Sequence, residues 1–360
     1  MIPISKPYID DEDCLAITKA AESGWISSLG EYIQEFEVKL ASLVDQDYLL
    51  STSNGTNALH LALVALGVST GDEVIVPDVT FAATINAVLY CGATPVLCPV
   101  NKKTRLLDET ALDGLITDKT KVIIPVHLYG RQFRTKNLRD RLPDRILILE
   151  DAAECLFPTS VEAKLGRYAD AITFSFYGNK LITTGEGGAV AFLNHEIYSR
   201  ANKLRDHGMD KKRKYWHDEV GFNYRMTNIQ AALGCSQLNK IDAIMEDRKR
   251  IFNYYSNNLD PNKFYIPSTK FPGMNAMWLF DCYLGDRSSV DNIENLIVDL
   301  RESGIDTRPT FYNLSSMPIY SKYKSQTTKY EKDYLGLCLP TFFKINENDL
   351  SYICSVLNEA

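Results

Sequence analysis

The sequence lacks any C-x-x-C pair, although it holds eight cysteines, at 14, 91, 98, 155, 235, 282, 338 and 354. Its five histidines (60, 127, 195, 207 and 217) show no H-x-x-x-H spacing. Both absences argue against a metal centre or a disulfide framework, and reduced thiols in a cytosolic protein are the plain expectation. No window reaches the ~18 uninterrupted apolar residues of a membrane span. The opening "MIPISKPYIDDEDC" has no charged start followed by an apolar block, so no signal peptide is expected. Strong positive charge is missing too: the net charge is −7, and the densest basic run, "DKKRK" at 210–214, is short and opens on an acidic residue. Nothing here favours nucleic acid or a membrane surface as partner.

What the chain does have is length, 360 residues, and an ordinary enzyme-like balance of 45% hydrophobic and 24% charged residues. Between about 46 and 193, short apolar runs alternate with amphipathic ones. Candidate strands are 48–52, 73–77, 94–100, 121–126, 145–150, 171–175 and 188–192, with helical stretches such as "NALHLALVAL" (57–66) between most of them. Strands apolar on both faces and separated by helices imply a mainly parallel sheet covered on both sides, whose ligands sit beyond the carboxyl ends of the strands. A long helix is expected over 226–259, stopped by Pro261. A smaller α+β domain follows. The expected division is 1–245 for the large α/β domain and 246–360 for the small one, to which the first dozen residues can add a segment.

One stretch is unusual: "FSFYGNKLITTGEGGA" (174–189) sets a single lysine, Lys180, on a glycine-rich connection between two apolar strands. A lysine amine that loses its proton forms a Schiff base with an aldehyde, and burial encourages that loss. At the strand ends of an α/β domain this suggests pyridoxal phosphate, which needs an anion site, a carboxylate for its ring nitrogen and a platform for its ring. "STSNGTNALHL" (51–61) reads as strand end, glycine turn and helix start, with backbone N–H groups and Thr56 facing an anion. The same residues also fit an ordinary helix N-cap. "RILILEDAAEC" ends a strand in Glu150 and Asp151, with Glu154 three residues on, a spacing that fits a capping box equally well. Phe81, just after the second strand, is the platform candidate or a core aromatic.

Taken with "IPISKPYI", "GWISSLGEYIQEFE", "SNGTNALHLAL", "GDEVIVPDVTFAAT", "VHLYG", "EDAAE" and "GFNYRMTNIQAALG", the lysine segment resembles the nucleotide-sugar aminotransferases of fold type I. The resemblance implies a pyridoxal-phosphate-dependent fold with a mostly parallel seven-stranded sheet. It implies that Lys180 carries the cofactor and moves the proton, and that Asp151 pairs with the ring nitrogen. By the same correspondence Glu154 sits near the ring hydroxyl, Phe81 stacks on the ring, and Gly55, Thr56 and Ser175 hold the phosphate. Asn223 corresponds to a residue that reaches the phosphate from a partner subunit, which implies a homodimer with shared sites and leaves tetramers open.

Within that family, "ISSLGEYIQEFE", the lysine segment and "YWHDEVGFNYRMTNI" resemble members that aminate C4 of a GDP-linked 4-keto-6-deoxymannose with L-glutamate, for surface polysaccharide. UDP- or dTDP-linked keto sugars are the alternative. Relatives that dehydrate their sugars carry histidine at the lysine position, so Lys180 favours amino transfer over that chemistry. A cofactor-binding protein without catalysis is the remaining class. Arg308, Tyr312 and Trp25 are the candidates for the sugar nucleotide, because its diphosphate needs a local cation and its rings need walls. The polar segment 207–225 is expected to be a lid or a subunit-crossing arm, with Asn223 and Arg225 serving the neighbouring phosphate site.

Overall fold

The computed structural model describes residues 1–156, 165–267, 276–284, 290–324 and 335–360. Seven strands, β1 (Tyr48–Thr52), β2 (Glu73–Pro77), β3 (Thr94–Cys98), β4 (Thr120–Ile123), β5 (Leu147–Asp151), β6 (Ala171–Ser175) and β7 (Gly188–Phe192), form one sheet in the order β1-β7-β6-β5-β4-β2-β3. All run parallel except β7, which is antiparallel to both β1 and β6. Each lies where the sequence places a strand. The ends differ slightly: β3 and β4 stop earlier than expected, and β5 runs on through Asp151.

The described residues form ten α-helices: α1 (Asp11–Glu22), α2 (Glu31–Val44), α3 (Gly55–Ala65), α4 (Ala82–Tyr90), α5 (Thr135–Arg141), α6 (His195–Leu204), α7 (Asn228–Leu238), α8 (Ile241–Asn258), α9 (Val290–Glu302) and α10 (Glu347–Glu359). Alternate strand residues serve opposite layers, as the two-residue period of a strand requires. Leu50, Val190 and Phe192 face α3, α4 and α6. Leu49, Ala189 and Ala191 face α2 and α7. Helix starts are marked in the sequence by acceptor side chains: Asp10 and Asp13 form a capping box on α1, and Thr227 and Gln230 form one on α7.

The expected single helix over 226–259 is two, α7 and α8, separated at Asn239–Lys240. The side chain of Lys240 pairs there with Asp10 and with Asp13, 2.8 Å from the latter. The break is thus tied down by the N-terminal helix, from far away in sequence. Beyond α8 a second, antiparallel sheet has the order β8 (Phe280–Tyr283), β10 (Gly336–Leu339), β9 (Arg308–Pro309). It packs with α8, α9 and α10 around Phe280, Leu337, Ile293 and Ile353. Residues at the N-terminus lie on this second unit: Ile2 bridges Ile305, and the amide of Thr341 donates to the carbonyl of Ile4 at 2.8 Å.

Candidate active site

The sheet register gathers one edge. Thr52 and Ser175 both pair with Gly188, so the ends of β1 and β6 and the start of β7 share a row. Asp151, at the end of β5, pairs with Thr173 in the same edge region. Helix α3 begins here at Gly55, with Asn54 capping it by accepting from the amide of Asn57 at 2.8 Å. A side chain on Gly55 would come 2.9 Å from Cβ of Ser175, and one on Gly188 would reach the carbonyl of Asn54 at 2.5 Å. Glycine at both places lets a helix N-terminus close onto the strand ends, leaving backbone N–H groups beside the Ser175 hydroxyl.

The connection from 176 to 187 is held by its own polar groups. The amide of Thr184 donates to the carbonyl of Phe176 at 2.9 Å, the hydroxyl of Thr183 to the same carbonyl at 3.1 Å, and the hydroxyl of Thr184 to the carbonyl of Glu186 at 2.8 Å. This satisfies a buried loop without a ladder and fixes Lys180. Its Nζ lies 3.8 Å from Oε1 of Glu154 and 3.7 Å from the ring centre of Trp278, whose Nε1 donates to the carbonyl of Asn179 at 2.7 Å. Burial lowers the pKa of Lys180, with Glu154 and Asp151 pulling the other way.

Both carboxylates are anchored. Asp151 accepts from the hydroxyl of Thr84 at 2.8 Å and from the amide of Ala153 at 3.1 Å, and burial raises its pKa against those bonds. Glu154 accepts from the amide of Tyr129 at 2.8 Å, and burial pushes its pKa up to about 7 with Lys180 opposing. Underneath, Nδ1 of His127 accepts from the amide of Phe133 at 3.0 Å, so the ring proton is on Nε2 and points to Glu150 at 3.2 Å.

A row of aromatic rings leads outward from the lysine. Trp278 stacks on Tyr129 at 6.1 Å, Tyr129 on Phe311 at 5.3 Å, and Phe311 lies 5.9 Å from Phe81, which is 59% exposed. Glu154, Ser175, Lys180 and Trp278 also line a cavity of about 10 Å³, room for about one water. The amide of Phe311 donates to the hydroxyl of Tyr129 at 2.8 Å, and just beyond it buried Asp78 accepts from the side-chain amide of Asn313 at 2.9 Å and from the amide and hydroxyl of Ser315, each at 2.7 Å.

The structure therefore brings together Lys180, Asp151, Glu154, Ser175, Gly55 and Thr56, with Phe81 at the outer rim. The remaining candidates have other partners or face solvent. Asn223 is exposed and bonded to Arg225. Arg308, on β9, is ion-paired with Asp306 and about half exposed. Tyr312 donates to Glu294 at 3.2 Å, and Trp25 is 59% exposed. Trp278, Tyr129 and Asp78 carried no expected role: Trp278 sits in "MWLF", which reads only as a strand, and Tyr129 in "VHLYG". Among the described residues no group of three His, Cys, Asp or Glu could hold a metal ion, and no helix is long and apolar enough to cross a membrane.

The residue set fits pyridoxal phosphate: a buried carboxylate with one hydroxyl and one amide on it, a buried amine, a helix N-terminus and an exposed ring share one strand edge. Comparison with known proteins follows the same line. The model of the DegT/DnrJ/EryC1/StrS aminotransferase family matches residues 7–358. GDP-perosamine synthase of Caulobacter vibrioides is 39% identical over 363 residues, covering 99% of this chain and 98% of that protein. GDP-perosamine synthase of Escherichia coli O157:H7 is 37% identical, with the same coverage. Among solved structures, Spr1654 of Streptococcus pneumoniae in its PLP form, named as a sugar aminotransferase, superposes with a TM-score of 0.92 at 28% identity, covering 99% of this chain and 98% of that one.

Proposed function

The chain belongs to the DegT/DnrJ/EryC1/StrS aminotransferase family, with pyridoxal phosphate as cofactor, and from that premise we propose that it moves the amino group of L-glutamate to C4 of a nucleotide-linked 4-keto-6-deoxy sugar. The sugar nucleotide of this reading is GDP-4-keto-6-deoxy-D-mannose and the product GDP-perosamine, a building block for O-antigen or other surface polysaccharide. Full-length identity of 37–39% to GDP-perosamine synthases supports the choice. The observation that carries the reaction type is the largely buried amine of Lys180, its side chain 13% exposed, at the edge that also holds Asp151.

Bound pyridoxal phosphate supplies an aldehyde that accepts the amino group and a ring that accepts electrons. The chain supplies the rest. Lys180 would hold the cofactor and, once released from it, carry the proton that amino transfer requires, a task suited to an amine whose pKa burial has lowered. Asp151 holds the proton on the ring nitrogen. Glu154, fixed through one oxygen by the amide of Tyr129, turns its other oxygen toward Lys180 and the ring hydroxyl. Gly55, Thr56 and Ser175 bind the phosphate, joined by Asn223 of a partner subunit. Phe81 covers the ring. Arg308, Tyr312 and Trp25 serve the sugar nucleotide.

The enzyme of this reading is a cytoplasmic homodimer. All eight cysteines are free, six of them buried, which suits a reducing compartment. Residues 1–245 form the cofactor domain and 246–360 the smaller one, with α8 spanning the division. Hydrogen exchange in which α8 and the second sheet open together supports that division, whereas protection shared with β1–β7 argues against it. For the reaction itself, enzyme and glutamate are incubated with GDP-, UDP- and dTDP-linked 4-keto-6-deoxy sugars and the products are weighed by mass spectrometry. Amination of the GDP sugar alone is expected; preference for a UDP or dTDP sugar overturns the substrate, and no amination of any overturns the reaction.

A further inference from the structure

The segments 204–207 and 222–224 run side by side. The amide of Phe222 donates to the carbonyl of Leu204 at 2.7 Å, that of His207 to Phe222 at 2.7 Å and that of Tyr224 to Arg205 at 3.0 Å. Asp206 and Asn223 are bridge partners across this pair. In extended backbone, residues two apart share a face, so Asn223 and Arg225 lie together, opposite Asp206, while Tyr224 turns the other way. There its hydroxyl meets Nδ1 of His60 at 3.0 Å, and its carbonyl accepts from the amide of Ser53 at 2.9 Å. The backbone carrying Asn223 is thereby pinned to β1 and α3.

On the Asn223 face, Nε and Nη2 of Arg225 both donate to Oδ1 of Asn223 at 3.2 Å, and Nη1 pairs with Asp206 at 2.8 Å. Arginine has donors only, so the amide facing it must present its oxygen. That consumes the acceptor of Asn223 and, among the described residues, leaves its Nδ2 group, two N–H donors, as the free end of an exposed side chain. Three of the guanidinium's five N–H donors are thus turned to Asn223 and Asp206, which holds it on the oxygen side of the amide.

We propose that Arg225 is a positioning residue: anchored by Asp206, it fixes the amide of Asn223 so that only N–H donors face an anion, and it does not bind that anion itself. This departs from the expectation that Asn223 and Arg225 both contact the phosphate. It rests on the reading that Asn223 binds the cofactor phosphate. A guanidinium on Oδ1 also polarises the amide, which strengthens the N–H donors at its other end.

The test is a double-mutant cycle on cofactor retention by the holoenzyme, with the pyridoxal phosphate Kd read by equilibrium dialysis and unfolding midpoints as the control for folding. Asn223→Ala is expected to raise Kd about 10- to 100-fold, the size of one hydrogen bond to a charged group. Arg225→Ala should raise it nearly as much, and the double variant no more than Asn223→Ala alone. Arg225→Lys keeps a donor on Oδ1 and should recover part of the loss with Asn223 present and none without it, a pattern that general loosening of the loop does not produce. Multiplying effects of the two single variants would mean that Arg225 acts on the anion independently and would overturn the inference. So would an unchanged Kd in Arg225→Ala beside a weakened Asn223→Ala. An unchanged Kd in Asn223→Ala is a different failure, because it removes Asn223 from the cofactor site altogether. Should Arg225→Ala not fold, Asp206→Asn, which frees the guanidinium from its anchor, takes its place in the cycle with the same expectations.

Discussion

Asp151→Asn separates chemistry from folding more cleanly than any other change at this site. The native carboxylate takes two bonds, from the hydroxyl of Thr84 and the amide of Ala153. An asparagine keeps both: its oxygen accepts from Ala153, and its amide donates to the Thr84 hydroxyl, which then donates to Thr80, 3.0 Å away. Loss of the charge also removes the burial penalty that raises the pKa of Asp151. Stability should therefore change by no more than about 1 kcal/mol. The chemistry has no such compensation, because a neutral amide does not hold a proton on the ring nitrogen. Losing that electrostatic contribution costs about 3–5 kcal/mol of barrier, on the order of 10²–10⁴ in rate. Stopped-flow absorbance of the holoenzyme mixed with glutamate gives the rate, and an unfolding curve gives the stability. A variant that keeps a near-normal rate, or one that slows only in proportion to lost folded protein, refutes the assignment.

Other outcomes follow from the same geometry. Lys180→Ala should abolish turnover, and borohydride treatment of the wild type should fix the cofactor to the peptide containing Lys180 and to no other. Arg308→Ala should raise KM for the keto sugar and spare the reaction with glutamate; equal loss in both would move Arg308 to the cofactor or glutamate, and no change would leave it as the partner of Asp306. Asp281→Asn strands the buried guanidinium of Arg131, now 2.5 Å from that carboxylate, at about 3–5 kcal/mol, or about 4–7 °C in Tm for a chain of this size. Glu154 binds its proton more tightly folded than unfolded, from its usual 4.5 up to about 7. The folded state thus holds the extra proton between those values, and stability falls as pH rises through them. Glu154→Gln should flatten that fall in an unfolding series from pH 4.5 to 7.

The parts of the fold and site legible in the sequence are those set by local pattern. Strands apolar on both faces announced the sheet, and Lys180, Ser175, Gly55 and Asp151 all lie within a few residues of a strand end, where register alone collects them. The break at Asn239–Lys240 was not legible, since nothing nearby interrupts the helical pattern and the groups that hold it are Asp10 and Asp13. Trp278 escaped for a similar reason. Its place over Lys180 is a contact across 98 residues of sequence, and an apolar tetrapeptide carries no sign of that. Asp78 looks like an ordinary residue after a strand until Asn313 and Ser315 arrive on it.

The place of β7 sets a timetable for synthesis. In the seven-stranded sheet β1 pairs with β7 alone, and β7 ends about 140 residues after β1 does. At roughly 5–20 residues per second, a ribosome takes about 7–28 s to supply that partner. Through that interval Tyr48–Thr52 has no strand partner, with only Ser51 bonded to Glu37 of α2, and until β6 is made the start of α3 has no Ser175 to close upon. The cofactor pocket consequently cannot assemble on a nascent chain until residue 192 has cleared the exit tunnel. Chains stalled just before and just after that point should differ in the hydrogen-exchange protection of residues 48–52.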